Sequence, residues 1–184
     1  MEAVVFGRSP FLQNVDIPWL IHKYKTVGFN DFCHAYEVDY GFSYDDVVKP
    51  KNMAKELFIP HWSSNTHGTK VVCKPHQKHP QPFKRYEDGN LILSFCLFSP
   101  SLALNWLLLH GFKTVYLVGI DHVETDKQFK HFDNIERPTE MSPTTHQKFK
   151  SYVYQCAKIM NIYQTNPAVK SGWELPFKPV ESIY

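Results

Sequence analysis

The sequence lacks the features of a membrane protein or a nucleic-acid-binding protein. Its 184 residues carry a formal net charge of +2, so no strong electrostatic field attracts nucleic acid or an anionic membrane. The longest apolar run, residues 102–112, is interrupted by Asn105 and is shorter than the roughly 20 residues that span a bilayer. We therefore expect no nucleic-acid partner and no membrane span.

Cysteine is scarce, and no export signal precedes the first strand-like segment. The four cysteines are far apart in the sequence and form no Cys-x-x-Cys pair. The opening residues MEAVVFG contain neither the basic region nor the apolar stretch of a signal peptide. Free thiols in a cytoplasmic protein are therefore the expectation.

Several catalytic motifs are also missing. There is no Gly-x-Ser-x-Gly elbow, no His-Glu-x-x-His pair, no P-loop and no Asp-x-Asp metal motif. Residues 61–90 are instead rich in His, Lys and Pro, and we expect them to form an irregular insert. Five residues of this stretch resemble zinc ligands, but their spacing matches no standard site and we expect no bound metal. They are His61, His67, Cys73, His76 and His79.

Short apolar strands alternate with helical patterns along the chain. Residues 99–111 predict an apolar helix that starts at Ser99 and ends at Gly111, followed by a buried strand over 114–119 and a helix that starts after Ser142. This alternation predicts a single α/β domain, a Rossmann-like open and mostly parallel sheet with helices on both faces. Further strands are predicted at 2–6, 26–29, 56–59, 70–73 and 161–166, a short helix at 17–24, and either a strand or a helix start at 91–95.

Polar residues follow several of the predicted strands. Because the carboxyl ends of parallel strands lie at one edge of a sheet, and ligands bind there, these residues together favour a binding site. A solvated loop is the alternative for each residue taken singly, and a simple turn is the alternative for the glycine. The residues are Gly7, Arg8, Ser9, Asn30, Asp31, His61, Asp121, His122 and Asn166.

Two predicted helix starts add candidate groups to this edge. Ser99 and Ser142 each precede a proline, as N-caps do, and the free N–H groups of a helix start bind anions. Plain capping is the alternative for both. His146 lies in the first turn of the later helix, where a neutral imidazole can take a proton from a hydroxyl. An exposed histidine without such a role is the alternative.

The motifs together resemble those of a known family. FGRSPFL (6–12) is similar to the G-x-G-P-S-L opening of bacterial lipooligosaccharide sialyltransferases and of the related 6-hydroxymethylpterin diphosphokinase-like proteins. The segment FSPSLALNWLLLHGFKTVYLVGIDH (98–122) resembles their helix, buried strand and G-x-D turn. Shorter matches are GFND (28–31), HFD (131–133) and IYQTNP (162–167), and the order holds over most of the chain.

The resemblance implies a metal-independent transferase that uses a nucleotide-activated sugar, with CMP-sialic acid as the best-known donor. It implies that Asn30, Ser99 and Asn166 lie near the nucleotide and Asp121 beside the donor. It also implies a histidine base for the acceptor hydroxyl, on a glycan or another compound. His146 is the first candidate for that base, with His122 and His131 as alternatives. Family members often assemble, so residues 171–177 are a candidate interface in a homo-oligomer, or a cover for the chain's own core.

The sequence departs from the family at several positions, and other functions stay open. Arg8 stands in place of an Asn, Phe11 in place of a Ser, and Val123 near a position where the family has a tyrosine. The Arg8 guanidinium can bind a phosphate through two hydrogen bonds. One alternative is a diphosphokinase-like enzyme whose Mg²⁺ is held by Asp121 with Asp31 or Asp133. The other is a catalytically silent nucleotide-binding protein.

Overall fold

The computed structural model describes the chain in ten segments and shows a sheet with helices on both faces. The described residues are 1–43, 53–63, 67–75, 86–87, 90–95, 99–121, 129–130, 136–137, 143–168 and 174–184. The strands are β1 (Glu2–Phe6), β2 (Lys25–Phe29), β3 (Tyr40–Phe42), β4 (Glu56–Pro60), β5 (Thr69–Pro75), β6 (Tyr86–Glu87), β7 (Asn90–Phe95), β8 (Thr114–Val118), β9 (Phe129–Lys130), β10 (Glu136–Arg137) and β11 (Asn161–Gln164). The helices are α1 (Ile17–Lys23), α2 (Phe32–Ala35), α3 (Ser99–Leu109) and α4 (Pro143–Ala157).

One large sheet organises these elements, and it confirms the predicted fold class. Its strand order is β11-β8-β1-β2-β3-β4-β5-β7-β6. Every neighbouring pair is parallel except β6 and β7, which are antiparallel at the edge. Strands β9 and β10 form a separate antiparallel pair. The chain thus forms a Rossmann-like, open and mostly parallel α/β sheet.

The strand order reverses beside β1. From β1 the chain steps outward to β2, β3, β4 and β5, and after β7 it returns to place β8 on the other side of β1. Connections that leave in opposite directions open a crevice between the carboxyl ends of the two strands involved. The sheet topology therefore puts the ends of β1 and β8 at the expected ligand position.

The central strands are apolar throughout because both of their faces are covered. Ala3 and Val5 of β1 pack into the core that α3 and α4 share with β8 and β11. Val4 and Phe6 point into a second core with residues of α1 and α2. A strand that is buried on both faces has no solvent side for polar residues, which explains the continuous apolar run EAVVF after its first residue.

The C-terminal segment completes the second core. Val180 and Ile183 are buried there, against the same face as Val4 and Phe6. Leu175, from the stretch 171–177 that the sequence offers as an interface or a core cover, is buried in the first core. The described part of this stretch therefore covers the chain's own core.

Helix α3 ends as predicted. Gly111 adopts a φ of +76°, and the N–H groups of Gly111 and Phe112 donate to the carbonyls of Leu108 and Leu107. This pairing is the Schellman arrangement, which needs a residue in the left-handed region and so favours glycine.

Within the described segments, no helix has both the length and the apolar character that a membrane crossing requires.

The expected irregular insert at 61–90 lies partly outside the described residues, so it stays a prediction. In the described part, residues 69–75 form an internal strand, β5, between β4 and β7, which extends the short strand expected over 70–73. Val71 is fully buried, which accounts for the apolar centre of that strand. Residues 90–95 form a strand, which resolves the two readings left open. The four-residue helix α2 and the β9–β10 pair are too short to produce a periodic pattern in the sequence.

Candidate functional site

Two glycines bring the ends of β1 and β8 into contact. The N–H of Gly7 donates to the carbonyl of Val118 at 2.8 Å, and the N–H of Ser9 donates to that of Gly119 at 3.1 Å. A Cβ on Gly7 would overlap the carbonyl oxygen of Gly119, and Gly119 itself has a φ of +71°. Both positions therefore require glycine, and the backbone at the crevice carries no side chain that would block a ligand.

Ser9 links the end of β1 to Asp121. Its side-chain oxygen accepts the N–H of Phe11 at 3.1 Å and so caps the 3-10 turn of residues 10–14. The same hydroxyl forms a hydrogen bond with the Asp121 carboxylate. The sequence Gly-Arg-Ser-Pro thus forms a rigid turn that presents a hydroxyl to the acid beyond β8.

Asp121 is also joined to the residue that follows β11. The Nδ2 of Asn166 donates to the Oδ2 of Asp121 at 2.8 Å. The Oδ1 of Asn166 accepts the N–H of Ala168 at 3.0 Å, which fixes the orientation of the amide. Ser9, Asp121 and Asn166 therefore form one polar cluster, which we call the strand-end triad, drawn from the ends of β1, β8 and β11.

The triad alters the acidity of Asp121. Burial raises the pKa of this carboxyl above its ordinary value, and the hydrogen bonds from Ser9 and Asn166 oppose that rise. The group consequently binds a proton more readily than a surface aspartate does. A carboxyl held in this way suits hydrogen bonding to a hydroxyl-rich ligand.

A second polar group lies at the ends of β1 and β2. The Nη1 of Arg8 is 3.7 Å from the Oδ2 of Asp31, whose Oδ1 is 3.8 Å from the Nδ1 of His34. Asn30, beside them, has a φ of +43°, and its buried Oδ1 has no hydrogen-bond partner among the residues described. An open buried acceptor and an oriented cation are therefore adjacent on the β2 side of the crevice.

Some of the predicted site residues are brought together and others are not tested. Ser9, Asp121 and Asn166 are joined by the hydrogen bonds above, and Gly7 lies at the same strand end with its N–H bonded to Val118. Ser99 is buried at the first residue of α3, beyond the end of β7, and its contact with a nucleotide stays a prediction.

Of the three candidate bases, only His146 lies within the described residues. His146 lies in the first turn of α4, which connects β8 to the parallel strand β11 and so begins at the carboxyl edge of the sheet. His122, His131 and Asp133 lie outside the described residues. The role of a histidine as base therefore stays a prediction.

The zinc-like residues are only partly described. In the segments that the structure covers, no three His, Cys, Asp or Glu side chains gather closely enough to hold a metal ion. His76 and His79 lie outside these segments, so their part of the candidate set stays untested.

Sequence reasoning missed the residues that support the triad. Gln164 and Thr165 are buried just before Asn166, and the Oγ1 of Thr165 donates to the carbonyl of Leu117 at 2.8 Å. A glutamine and a threonine at the end of a short strand give no distinctive motif. The sequence feature that could have identified them is their position directly before Asn166, which was predicted to lie at the ligand-binding edge of the sheet.

Comparison with known proteins places the fold among those of bacterial sialyltransferases. No family model matches the sequence, and no curated protein matches it. Solved structures of one enzyme do match in fold, and they cover nearly all of this chain. The fold is thus sialyltransferase-like, and nothing in the comparisons supports the diphosphokinase resemblance.

Three of the matching structures are of the sialyltransferase CstII. The sialyltransferase CST-II in complex with trisaccharide acceptor and CMP gives a TM-score of 0.52 at 11% identity, with 97% of this chain and 86% of that chain covered. A point mutant of the α-2,3/8-sialyltransferase CstII gives 0.54 at 11% identity, with 97% and 87% covered. CstII from Campylobacter jejuni in complex with CMP-3FNeuAc gives 0.52 at 11% identity, with 97% and 86% covered. At this identity the likeness establishes the fold alone.

Proposed function

We propose that this protein is a glycosyltransferase that binds a nucleotide-activated sugar resembling CMP-sialic acid and transfers the sugar to an acceptor hydroxyl. The observation that carries the proposal is the strand-end triad at the crevice between β1 and β8. Ser9, Asp121 and Asn166 offer a hydroxyl, a carboxyl and an amide within one hydrogen-bonded group. Such a mixture of donors and acceptors suits the hydroxyl groups of a sugar or a ribose.

The surroundings of the triad suit a nucleotide phosphate. The bare backbone at Gly7 lets a phosphate or ribose approach closely. Arg8 is held 3.7 Å from Asp31 and supplies a cation, and the open Oδ1 of Asn30 supplies an acceptor for a base or ribose donor. A guanidinium pairs with phosphate oxygens through two parallel hydrogen bonds, so Arg8 is the proposed phosphate ligand.

The proposed reaction is a direct displacement. The acceptor oxygen forms a bond to the anomeric carbon while the bond from that carbon to the phosphate oxygen of CMP breaks. The hydroxyl proton passes to His146, and the leaving phosphate is stabilised by Arg8 and by N–H groups at helix starts. Asp121, whose pKa burial raises, holds the donor sugar by hydrogen bonds.

The fold similarity supports this choice of donor. The CstII structures that share the fold include complexes with CMP and with CMP-3FNeuAc, and one includes a trisaccharide acceptor. For this chain, the proposal of a CMP-linked donor is supported by the polar groups at the crevice. The acceptor is proposed to be a glycan or another hydroxyl compound.

A ligand panel tests the proposal. Thermal shift is measured with CMP, UDP, GDP and ATP, each with and without Mg²⁺, and CMP release from CMP-sialic acid is measured with a range of glycan acceptors. A shift with CMP that needs no Mg²⁺, together with CMP release, is the expected result. A response only to ATP with Mg²⁺ would favour the diphosphokinase-like alternative, and CMP binding without turnover of any activated donor would favour a silent nucleotide-binding protein.

A further inference from the structure

The buried side chain of Gln164 connects the two strand ends that carry Asp121 and Asn166. Only 1% of this residue is exposed. Its Nε2 donates to the carbonyl of Ile120 at 3.0 Å, directly before Asp121. Its Oε1 accepts the N–H groups of Thr165 at 2.8 Å and of Asn166 at 3.2 Å. One amide therefore holds the backbone on both sides of the hydrogen bond between Asp121 and Asn166.

The chemistry of this position calls for an amide. The side chain must accept from two N–H groups through one atom and donate to a carbonyl through another. The three contacts also fix which atom is oxygen and which is nitrogen, because the reverse orientation would face donor against donor and acceptor against acceptor. An alkyl side chain supplies neither function, and a carboxylate cannot donate to Ile120.

The backbone of Gln164 is held from the opposite side by the C-terminal segment. Its N–H donates to the carbonyl of Pro176 at 3.0 Å, and its carbonyl accepts the N–H of Lys178 at 3.0 Å. This is an isolated parallel bridge between Gln164 and Phe177. The residue thus lies between β8 and the segment 174–184, which limits its movement and the movement of its side chain.

We propose that Gln164 is a positioning residue that sets the distance and orientation of Asn166 relative to Asp121, and that the C-terminal segment holds it in place. The proposal rests on the function proposed above, since it concerns the geometry of the same site. Gln164 itself makes its side-chain contacts with the backbone, so it acts on a ligand only through the two residues it positions.

The test compares three variants of the full chain. Gln164→Ala removes all three contacts. Gln164→Glu keeps the shape, and its protonated carboxylic acid can both accept and donate, whereas its carboxylate cannot donate to Ile120. Gln155→Ala is the matched control, because among the described residues the side chain of Gln155 bonds the Oγ of Ser151 within α4, away from the strand ends.

Two readouts are measured. Calorimetry gives the affinity for CMP over a pH series, and NMR of ¹⁵N-labelled protein follows the side-chain amide signals of Asn166 without any ligand. We expect CMP affinity to fall about tenfold in Gln164→Ala and to be unchanged in Gln155→Ala. The ratio of Gln164→Glu to wild-type affinity should be near one at acid pH and should fall as the introduced glutamate ionises.

The two readouts separate failure of the proposal from failure of the proposed function. If wild-type protein binds no CMP, the proposed function fails, and the Asn166 signals still decide the positioning role. Shifted Asn166 signals in Gln164→Ala, and in Gln164→Glu only at higher pH, support the role. Asn166 signals that stay unchanged in both Gln164 variants would overturn it, as would a CMP affinity of Gln164→Glu that keeps the same ratio to wild type at every pH. If Gln164→Ala does not fold, Gln164→Glu alone decides.

Discussion

The carboxyl of Asp121 and the amide of Asn166 are 2.8 Å apart although 45 positions separate them in the sequence. Their hydrogen bond joins the ends of β8 and β11, and Ser9 extends it to β1. Three strand ends thus meet in a single polar group beside the point where the strand order reverses. Variants at these strand ends distinguish a ligand-binding role of this group from a purely structural one.

Asp121→Asn should impair function without weakening the fold. We expect turnover of the activated donor to fall about 100-fold or more, because the amide carries no charge and offers one acceptor oxygen where the carboxylate offers two. The pKa of Asp121 is raised by burial, so its ionisation opposes folding. Wild-type stability relative to Asp121→Asn should therefore be greatest below the ordinary value of 3.8 and should decline as pH rises through the elevated pKa.

The measurements are CMP release and melting temperature across a pH series. Glu181→Gln, on the exposed surface of the C-terminal segment, is the control for removal of a carboxylate. A melting temperature for Asp121→Asn that collapses at neutral pH would mean that the carboxylate is structural.

His146→Ala should separate binding from turnover. The proposed base acts on the acceptor hydroxyl and does not contact the nucleotide, so CMP affinity should stay at the wild-type value while turnover falls by about 100-fold or more. Calorimetry with CMP and a CMP-release assay measure the two quantities. His22→Ala, at an exposed position of α1, is the matched control. Retained turnover in His146→Ala would assign the base role to another residue.

Arg8→Ala should weaken nucleotide binding. Arg8 is the cation held beside the crevice by Asp31, and loss of a charge-assisted phosphate contact should lower CMP affinity about tenfold. The difference should shrink at high salt, because added ions screen the contact. Calorimetry at two salt concentrations measures it. Lys113→Ala, before β8 at the opposite edge of the sheet, is the control, and equal affinities for the two variants would exclude Arg8 as a phosphate ligand.

Gly7→Ala should destabilise the fold at the crevice itself. The added methyl group overlaps the backbone of Gly119, which cannot move without shifting β8, so we expect a loss of about 3 kcal/mol. Gly111→Ala is the matched control. Its φ of +76° disfavours alanine, but no atom lies near the added methyl group, so the loss should be about 1 kcal/mol. Denaturant unfolding compares the two, and equal losses would contradict the close packing of β1 on β8.

The sequence predicted those parts of the fold that depend on neighbouring residues. The apolar run ended by Gly111 indicated α3 because both its composition and its end signal are local. Gly7 and Asp121 were predicted to lie at the carboxyl edge of the sheet because each lies within three residues of the end of a clear strand. The strand order was not predictable from such patterns, since it depends on pairing between distant segments. The sequence therefore gave no indication that β5 lies inside the sheet.

The supporting residues of the site could not be identified from the sequence for a related reason. Gln164 carries a common polar side chain, and its importance comes from the carbonyl of Ile120, which is 44 positions away in the sequence. The pairing of Arg8 with Asp31 likewise depends on β1 and β2 being neighbours. Residue type alone identifies candidate site residues, and the sheet topology determines which of them lie close together.

The most direct test of the central claim is a crystal structure of the protein soaked with CMP. We expect density for the nucleotide in the crevice between the ends of β1 and β8, with its phosphate or ribose within hydrogen-bond distance of Arg8, Ser9, Asn30 or Asn166. Density for CMP at another surface, or an empty crevice in crystals soaked at saturating CMP, would contradict it.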